Sequence, residues 1–124
     1  MSNCIFCDVS EDRIIMENDL AIAIRDGYPV TNLHTLVIPK AHRFDYFELT
    51  QEEVVACTNL LSLARKGILV TDSSVTGFNI GMNSGESAGQ TVFHCHIHLI
   101  PRRSGDVENP KGGVRHLIPG KGFY

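Results

Sequence analysis

Three histidines fall at every second position in the stretch GQTVFHCHIHLIPR, residues 89–102: His94, His96 and His98. Successive side chains of an extended chain point to opposite faces. A strand over residues 93–100 therefore sets three imidazoles on one face and Cys95, Ile97 and Leu99 on the other, a chemical face backed by a core face. Two chemistries use such a row. Several imidazole nitrogens converging on one cation make a metal site. An unprotonated imidazole can instead be a nucleophile at phosphorus, dividing a high barrier into two lower ones through a labile covalent intermediate. Cys95, on the core side, reads as a small buried hydrophobe and not as a reactive thiol.

A second set of chemical residues opens the chain. Cys4 and Cys7 form a C-x-x-C in MSNCIFCDVSEDR, a spacing shared by redox pairs and by half of a zinc site. The redox form expects a strand-to-helix turn, which this position does not offer, so zinc is favoured, and two thiolates then need two further ligands to close a tetrahedron.

The elements that must position these groups are legible in outline. RIIMEN and LAIAIRD read as two short strands broken at Asn18 and Asp19, and HTLVIPK as a third that stops at Pro39. A meander is the economical connection. ELTQEEVVACTNLLSLARKGIL predicts the one long helix, with Thr50 as N-cap, Glu53 three positions on, and apolar residues at mostly helical spacing. GFNIGMN and TVFHCHIHLIP follow as strands, joined by SGESAG, whose small residues suit a tight loop close to a ligand. The 124 residues predict one domain, residues 1–124, with residues 1–10 as a zinc-knuckle-like N-terminus and residues 103–124 as a basic, glycine-rich tail.

Net charge of −3 gives no electrostatic reason to expect nucleic acid or an acidic membrane as partner. The N-terminal residues lack the basic and apolar regions of a secretory signal, and four cysteines do not make the dense framework of a secreted scaffold. The expected location is the cytoplasm.

The run His94-Cys95-His96-Ile97-His98-Leu99-Ile100 resembles the histidine triad family, whose signature alternates histidines with apolar residues in this way. The resemblance extends from CIFC through LVIPKAH to HLIPRRSGDV, and the loop NSGESAGQTVFHCHIHLIPR is similar to that of the dinucleoside polyphosphate hydrolases. It implies an α+β fold: a five-stranded antiparallel sheet with one long helix and a short helix, paired into a two-fold dimer with an extended sheet. It implies further that His96 attacks the α-phosphorus to form a nucleotidyl-histidine, that His98 donates to the phosphate oxygens, and that Gln90 contacts phosphate and positions water. Asn83 would contact phosphate and Asp26 the ribose hydroxyls. Each of the last two has a plainer alternative, a left-handed turn at Asn83 and a turn-initiating role for Asp26. For the metal, the resemblance supplies His42 and His94 as the ligands that join Cys4 and Cys7 around a structural zinc. One departure is visible: Leu33 stands where many members have glycine before the histidine of the third strand.

The implied activity is cleavage of dinucleoside polyphosphates such as diadenosine tetraphosphate. A phosphoramidase or phosphorylase using the same histidine, or a nucleotide-binding protein of low turnover, are the alternatives. The tail gathers Arg102, Arg103, Lys111, Arg115 and Lys121 among glycines, which suits either a phosphate-facing role or a solvated terminus. His116 carries no assignment.

Overall fold

A computed structural model describes residues 3–124; Met1 and Ser2, part of the expected N-terminal knuckle, lie outside the described residues. Five strands, β1 (Ile14–Glu17), β2 (Ala21–Arg25), β3 (Thr35–Pro39), β4 (Val75–Gly81) and β5 (Ile97–Arg103), form one sheet in the order β1-β2-β3-β5-β4. All four pairings are antiparallel. One long helix, α1 (Gln51–Thr71), crosses between β3 and β4, and the expected short helix is present only as 3-10 turns, among them Tyr46–Glu48. The first three strands make the expected meander.

Helix α1 starts where the capping residues predict. Thr50 accepts from the Glu53 amide and the Glu53 carboxylate accepts from the Thr50 amide, a reciprocal box that satisfies two otherwise orphaned donors. Glu53 is almost fully buried, and Arg43 donates to both of its oxygens at 2.9 and 3.2 Å. Such a carboxylate is tolerated in the interior because it is both paired and hydrogen-bonded. Its acidity is enhanced by those partners against the opposing effect of burial. Cys57, Leu60, Ala64 and Ile68 recur at spacings of three and four and face the sheet.

Strands β2 and β3 are buried on both faces, which explains why AIAI and TLVIP are nearly unbroken apolar runs. Small Ala21 and Ala23 admit the helix on one side, with Val37 and Ile97. Large Ile22 and Ile24 pack on the other side with Leu36, Ile38 and Phe6 of the N-terminal segment. An apolar cluster therefore sits on each face of the sheet centre.

Leu33 is the only non-glycine residue with positive φ among the described residues, at 71°. The turn before β3 thus keeps the left-handed backbone that a glycine would adopt freely, and Leu33 holds it by packing on the cluster of Ala64, Ile68, Val75 and Leu99. The left-handed form costs a residue with a Cβ about 1–2 kcal/mol. Leu33→Ala loses the packing and keeps that cost, whereas Leu33→Gly loses both. Chemical denaturation should therefore find Leu33→Gly more stable than Leu33→Ala by up to about 1 kcal/mol, the reverse of the ordinary order of these residues.

Candidate functional site

The histidine run enters the sheet later than its pattern suggests. Strand β5 begins at Ile97, so His94 and His96 precede it, and the expected strand over residues 93–100 is corrected to Ile97–Arg103. The ladder stops there because β4 ends at Gly81, opposite His98, and the pairing of β3 with β5 ends at Val37 and Ile97, although β3 itself runs on to Pro39. Before that point the Cys95 amide leaves the sheet and donates to the Arg43 carbonyl at 2.7 Å. Alternation persists all the same, with Cys95, Ile97 and Leu99 buried and His96 and His98 half-buried on the other side. Burial pushes the Cys95 thiol up to about 12, in keeping with an inert core residue.

Backbone groups decide which nitrogen of each imidazole carries the proton. His96 Nδ1 lies 2.8 Å from the His94 carbonyl, to which only an N–H can donate, so Nε2 keeps its lone pair. The Val30 amide donates to His34 Nδ1 at 3.0 Å, which places the His34 proton on Nε2. That nitrogen is 2.9 Å from His98 Nδ1 and 3.4 Å from the Asp26 carboxylate. His98 Nδ1 accepts, and its own proton is left on Nε2. Burial, reinforced by the neighbouring His96 and His34 and opposed by Asp26, pushes the His98 pKa down to about 4. His34 is shifted the same way, by burial against the pull of Asp26. Both rings are neutral at neutral pH.

His96, His98 and Asp26 share a cavity of about 450 Å³, walled by Ile5, Phe6, Tyr28 and Val30. Its size and mostly apolar lining with a few polar groups suit a small organic ligand. Asp26 takes the turn expected as its plainer role, Oδ1 accepting from the Tyr28 amide at 2.8 Å, while its other oxygen faces the histidines. Asn83 follows the end of β4, beside His98 through the Gly81 pairing, but does not line this cavity, and its φ is not positive, which removes the left-handed-turn alternative. Gln90 is buried and committed to its own loop. Its Nε2 donates to the Phe44 and Val92 carbonyls and its Oε1 accepts from the Gly85 amide, so the amide braces the segment that leads to His94.

Cys4, Cys7, His42 and His94 meet in one place, their ligand atoms all within 4.8 Å of one another. The Cys4 and Cys7 sulfurs lie 3.3 and 3.4 Å from His94 Nδ1, and the Cys7 sulfur 3.2 Å from His42 Nδ1. His94 is fully buried and donates Nε2–H to the Pro39 carbonyl at 2.8 Å, which leaves Nδ1 as the ligating nitrogen. Two sulfurs and two nitrogens at these separations fit a tetrahedral zinc ion. The triad thus divides: His94 turns to the cysteines, and His96 and His98 to the cavity.

Three residues in or beside the cavity carry no assignment in the sequence reading. His34 was marked only by its unusual preceding residue, although a histidine heading an apolar strand is itself a signal. Phe6, between the two cysteines, packs edge-on to the His96 ring with centroids 5.0 Å apart. Arg13 donates to the Arg25 carbonyl at the cavity rim and had no local motif to reveal it.

Comparison with known proteins agrees with this geometry. The HIT domain family model matches residues 8–105. An uncharacterised HIT-like protein of Saccharolobus solfataricus is 36% identical over 98% of this chain and 89% of its own length. Adenylylsulfatase HINT3 of Arabidopsis thaliana is 34% identical over 85% of this chain, which spans 55% of that protein. Among solved structures, a HIT family protein of Bacillus anthracis superposes with a TM-score of 0.76 at 40% identity, covering 82% of this chain and 74% of that one. A zinc-bound histidine triad protein of Mycobacterium smegmatis gives the same TM-score of 0.76 at 35% identity, covering 84% and 78%. The five-stranded sheet with its single long helix, the paired imidazoles and the matched sequence lead to one conclusion: the chain belongs to the HIT domain, or histidine triad, family.

Proposed function

We propose that this protein cleaves a nucleotide conjugate at its α-phosphate through a nucleotidyl-histidine, with dinucleoside polyphosphates as the substrate class. The observation that carries the reading is the His96 ring, held by the His94 carbonyl so that its lone pair is on Nε2 in a cavity shared with Asp26 and a neutral His98. In the first step His96 Nε2 forms a bond to phosphorus as the bridging P–O bond breaks, and the leaving phosphate departs with the electron pair. His98 Nε2–H donates to the phosphate oxygens, where charge develops. In the second step water attacks phosphorus, the P–N bond breaks, and His96 is restored. Asp26 binds the ribose hydroxyls, and Gln90 acts indirectly, by bracing the loop. Asn83, two residues past the end of β4, contacts the phosphate in this reading.

A second reading keeps the nucleophile and changes the leaving group. It is favoured by the Arabidopsis relative, whose name is that of an adenylylsulfatase. Cys4, Cys7, His42 and His94 hold a structural zinc in this proposal. The ion supplies a cross-link between the N-terminal segment and the approach to His96, and no reaction step. The protein works as a homodimer, to which α1 offers exposed Val55, Leu63 and Val70 and the sheet its β4 edge.

Brief incubation with diadenosine tetraphosphate and an alkaline quench should trap a nucleotide on His96, since phosphorus–imidazole bonds survive base. His96→Ala should lose turnover by as much as about a millionfold while its circular dichroism stays native; near-normal turnover would exclude the mechanism.

Metal analysis paired with melting curves tests the zinc. Wild type and His98→Ala should each carry about one zinc per chain, while Cys4→Ser should lose both metal and thermal stability. Full metal in Cys4→Ser with loss from His98→Ala would place the ion on the triad instead.

The neutral imidazoles set a pH dependence. A histidine whose folded pKa is lowered adds stability above its unfolded value of 6.5, and that stability drains away as pH falls toward about 4, where His98 itself protonates. The melting temperature should fall across this window, and His98→Asn should shallow the slope whatever its midpoint at pH 7.5. An unchanged slope would show that His98 is not held neutral.

A further inference from the structure

A second groove adjoins the catalytic cavity, and the proposed reaction gives it no role. Its floor is the cross-strand pair Asn79 and Ile100, one alternation further along the same ladder that pairs Gly81 with His98. Ile100 therefore projects from the His98 face of β5, roughly 7 Å along the strand. The tail raises one wall, with Val114 and Leu117, and Val107 completes it. The volume is about 400 Å³, and Val30 lines both this groove and the catalytic cavity, so the two share a wall.

The polar groups of the groove are few and mostly engaged. Arg102 is tied to Asp106 through two contacts of 2.8 Å and to the Asn79 Oδ1 at 2.8 Å. Thr31 donates to the Pro101 carbonyl. Asn79 Nδ2 has no hydrogen-bond partner among the described residues and stands at the floor as a donor. Apolar walls with one free amide donor fit a flat heterocycle that bears ring acceptors. They do not fit a chain of phosphates, for which Arg102 is already neutralised.

We infer that this groove receives the nucleoside at the far end of the substrate, the half that departs with the leaving phosphates. The inference rests on the proposed reaction and deepens it. The cavity at His96 holds the nucleotide that becomes covalently bound, the phosphate run passes His98 and Val30, and the second base lies on Ile100 between Val114 and Leu117. The tail gains a purpose, since it supplies the wall that recognises a leaving group.

Two substrates that differ only in that nucleoside test it: diadenosine tetraphosphate and adenosine tetraphosphate, whose leaving groups are ATP and triphosphate. Wild type should prefer the first in kcat/KM by roughly tenfold or more, the worth of a base seated in an apolar site. Val114→Ser with Leu117→Ser should abolish most of that preference by raising KM for the dinucleoside, and Ile15→Ser, at an exposed position of β1, should leave it intact. Calorimetric binding of both ligands to His96→Ala, with and without the two tail substitutions, gives the same comparison free of turnover. Equal handling of both ligands by the wild type would overturn the inference, as would a parallel loss for both in the tail variant, including a loss that accompanies a change of mass in sedimentation. Absence of turnover and of trapped nucleotide would sink the proposed reaction instead, and the binding difference would still decide the groove.

Discussion

The arrangement of protons on the imidazoles rests on backbone groups that cannot themselves change protonation. The His94 carbonyl demands an N–H from His96, the Pro39 carbonyl demands one from His94, and the Val30 amide refuses one at His34. Each ring can satisfy its neighbour in only one tautomer, and the choice passes from His34 to His98 through a contact of 2.9 Å. The register of the sheet makes this possible. Leu36 pairs with His98, so His34, just ahead of β3, comes level with the far side of the His98 ring. A slip of one residue in β5 would turn His98 against the helix and put Leu99 in the cavity, so the apolar pattern that fixes the register also fixes the chemistry.

The N-terminal segment is as much a part of the site as the strands. It has no strand of its own among the described residues before Ile14, yet it places Phe6 over Ile22, Ile24, Leu36 and Ile38. Burying a side chain of that size contributes about 1.5–3 kcal/mol, which is small against the backbone entropy of ordering several residues. The four-ligand group formed by Cys4, Cys7, His42 and His94 is well suited to supply the remainder, because a bound ion contributes its binding free energy to folding when the unfolded chain lacks the site. Phe6 lies between two of those ligands and touches His96. Whatever fixes the cysteines also fixes a wall of the cavity and one side of the His96 ring.

Much of this was legible in the sequence because local physics and the fold agree. The short apolar runs TLVIP and AIAI, bounded by polar breaks and Pro39, marked strands, and Thr50 with Glu53 marked the start of α1 to the residue. The histidine row was read on the right face but as too long a strand, because periodicity does not show where neighbouring strands end. Gln90 was given to the substrate, whereas its bond to the Phe44 carbonyl joins segments far apart in sequence and leaves no local trace. His34 and Arg13 escaped for the same reason: each reaches the cavity through strand pairing or rim geometry. The left-handed backbone at Leu33 shows the opposite case, in which the fold keeps a conformation that the residue itself disfavours, through packing that only the folded chain provides.

The connection from α1 to the histidines closes the account of how a helix on one face of a sheet can steady a site on the other. Glu53 closes the helix cap and receives Arg43, and the Arg43 carbonyl in turn receives the Cys95 amide. Phe44, next along, presents its carbonyl to Gln90, and Gln90 braces the loop before His94. The histidine run leaves the ladder at this point, so these contacts replace the strand partner it lacks and satisfy backbone groups that burial would otherwise penalise. Because Glu53 is nearly excluded from solvent, displacing Arg43 would strand a buried carboxylate, a penalty well above that of a surface pair. The cap of the helix and the position of His96 are therefore set by one chain of bonds, and a sequence able to start α1 correctly has already done part of the work of building the site.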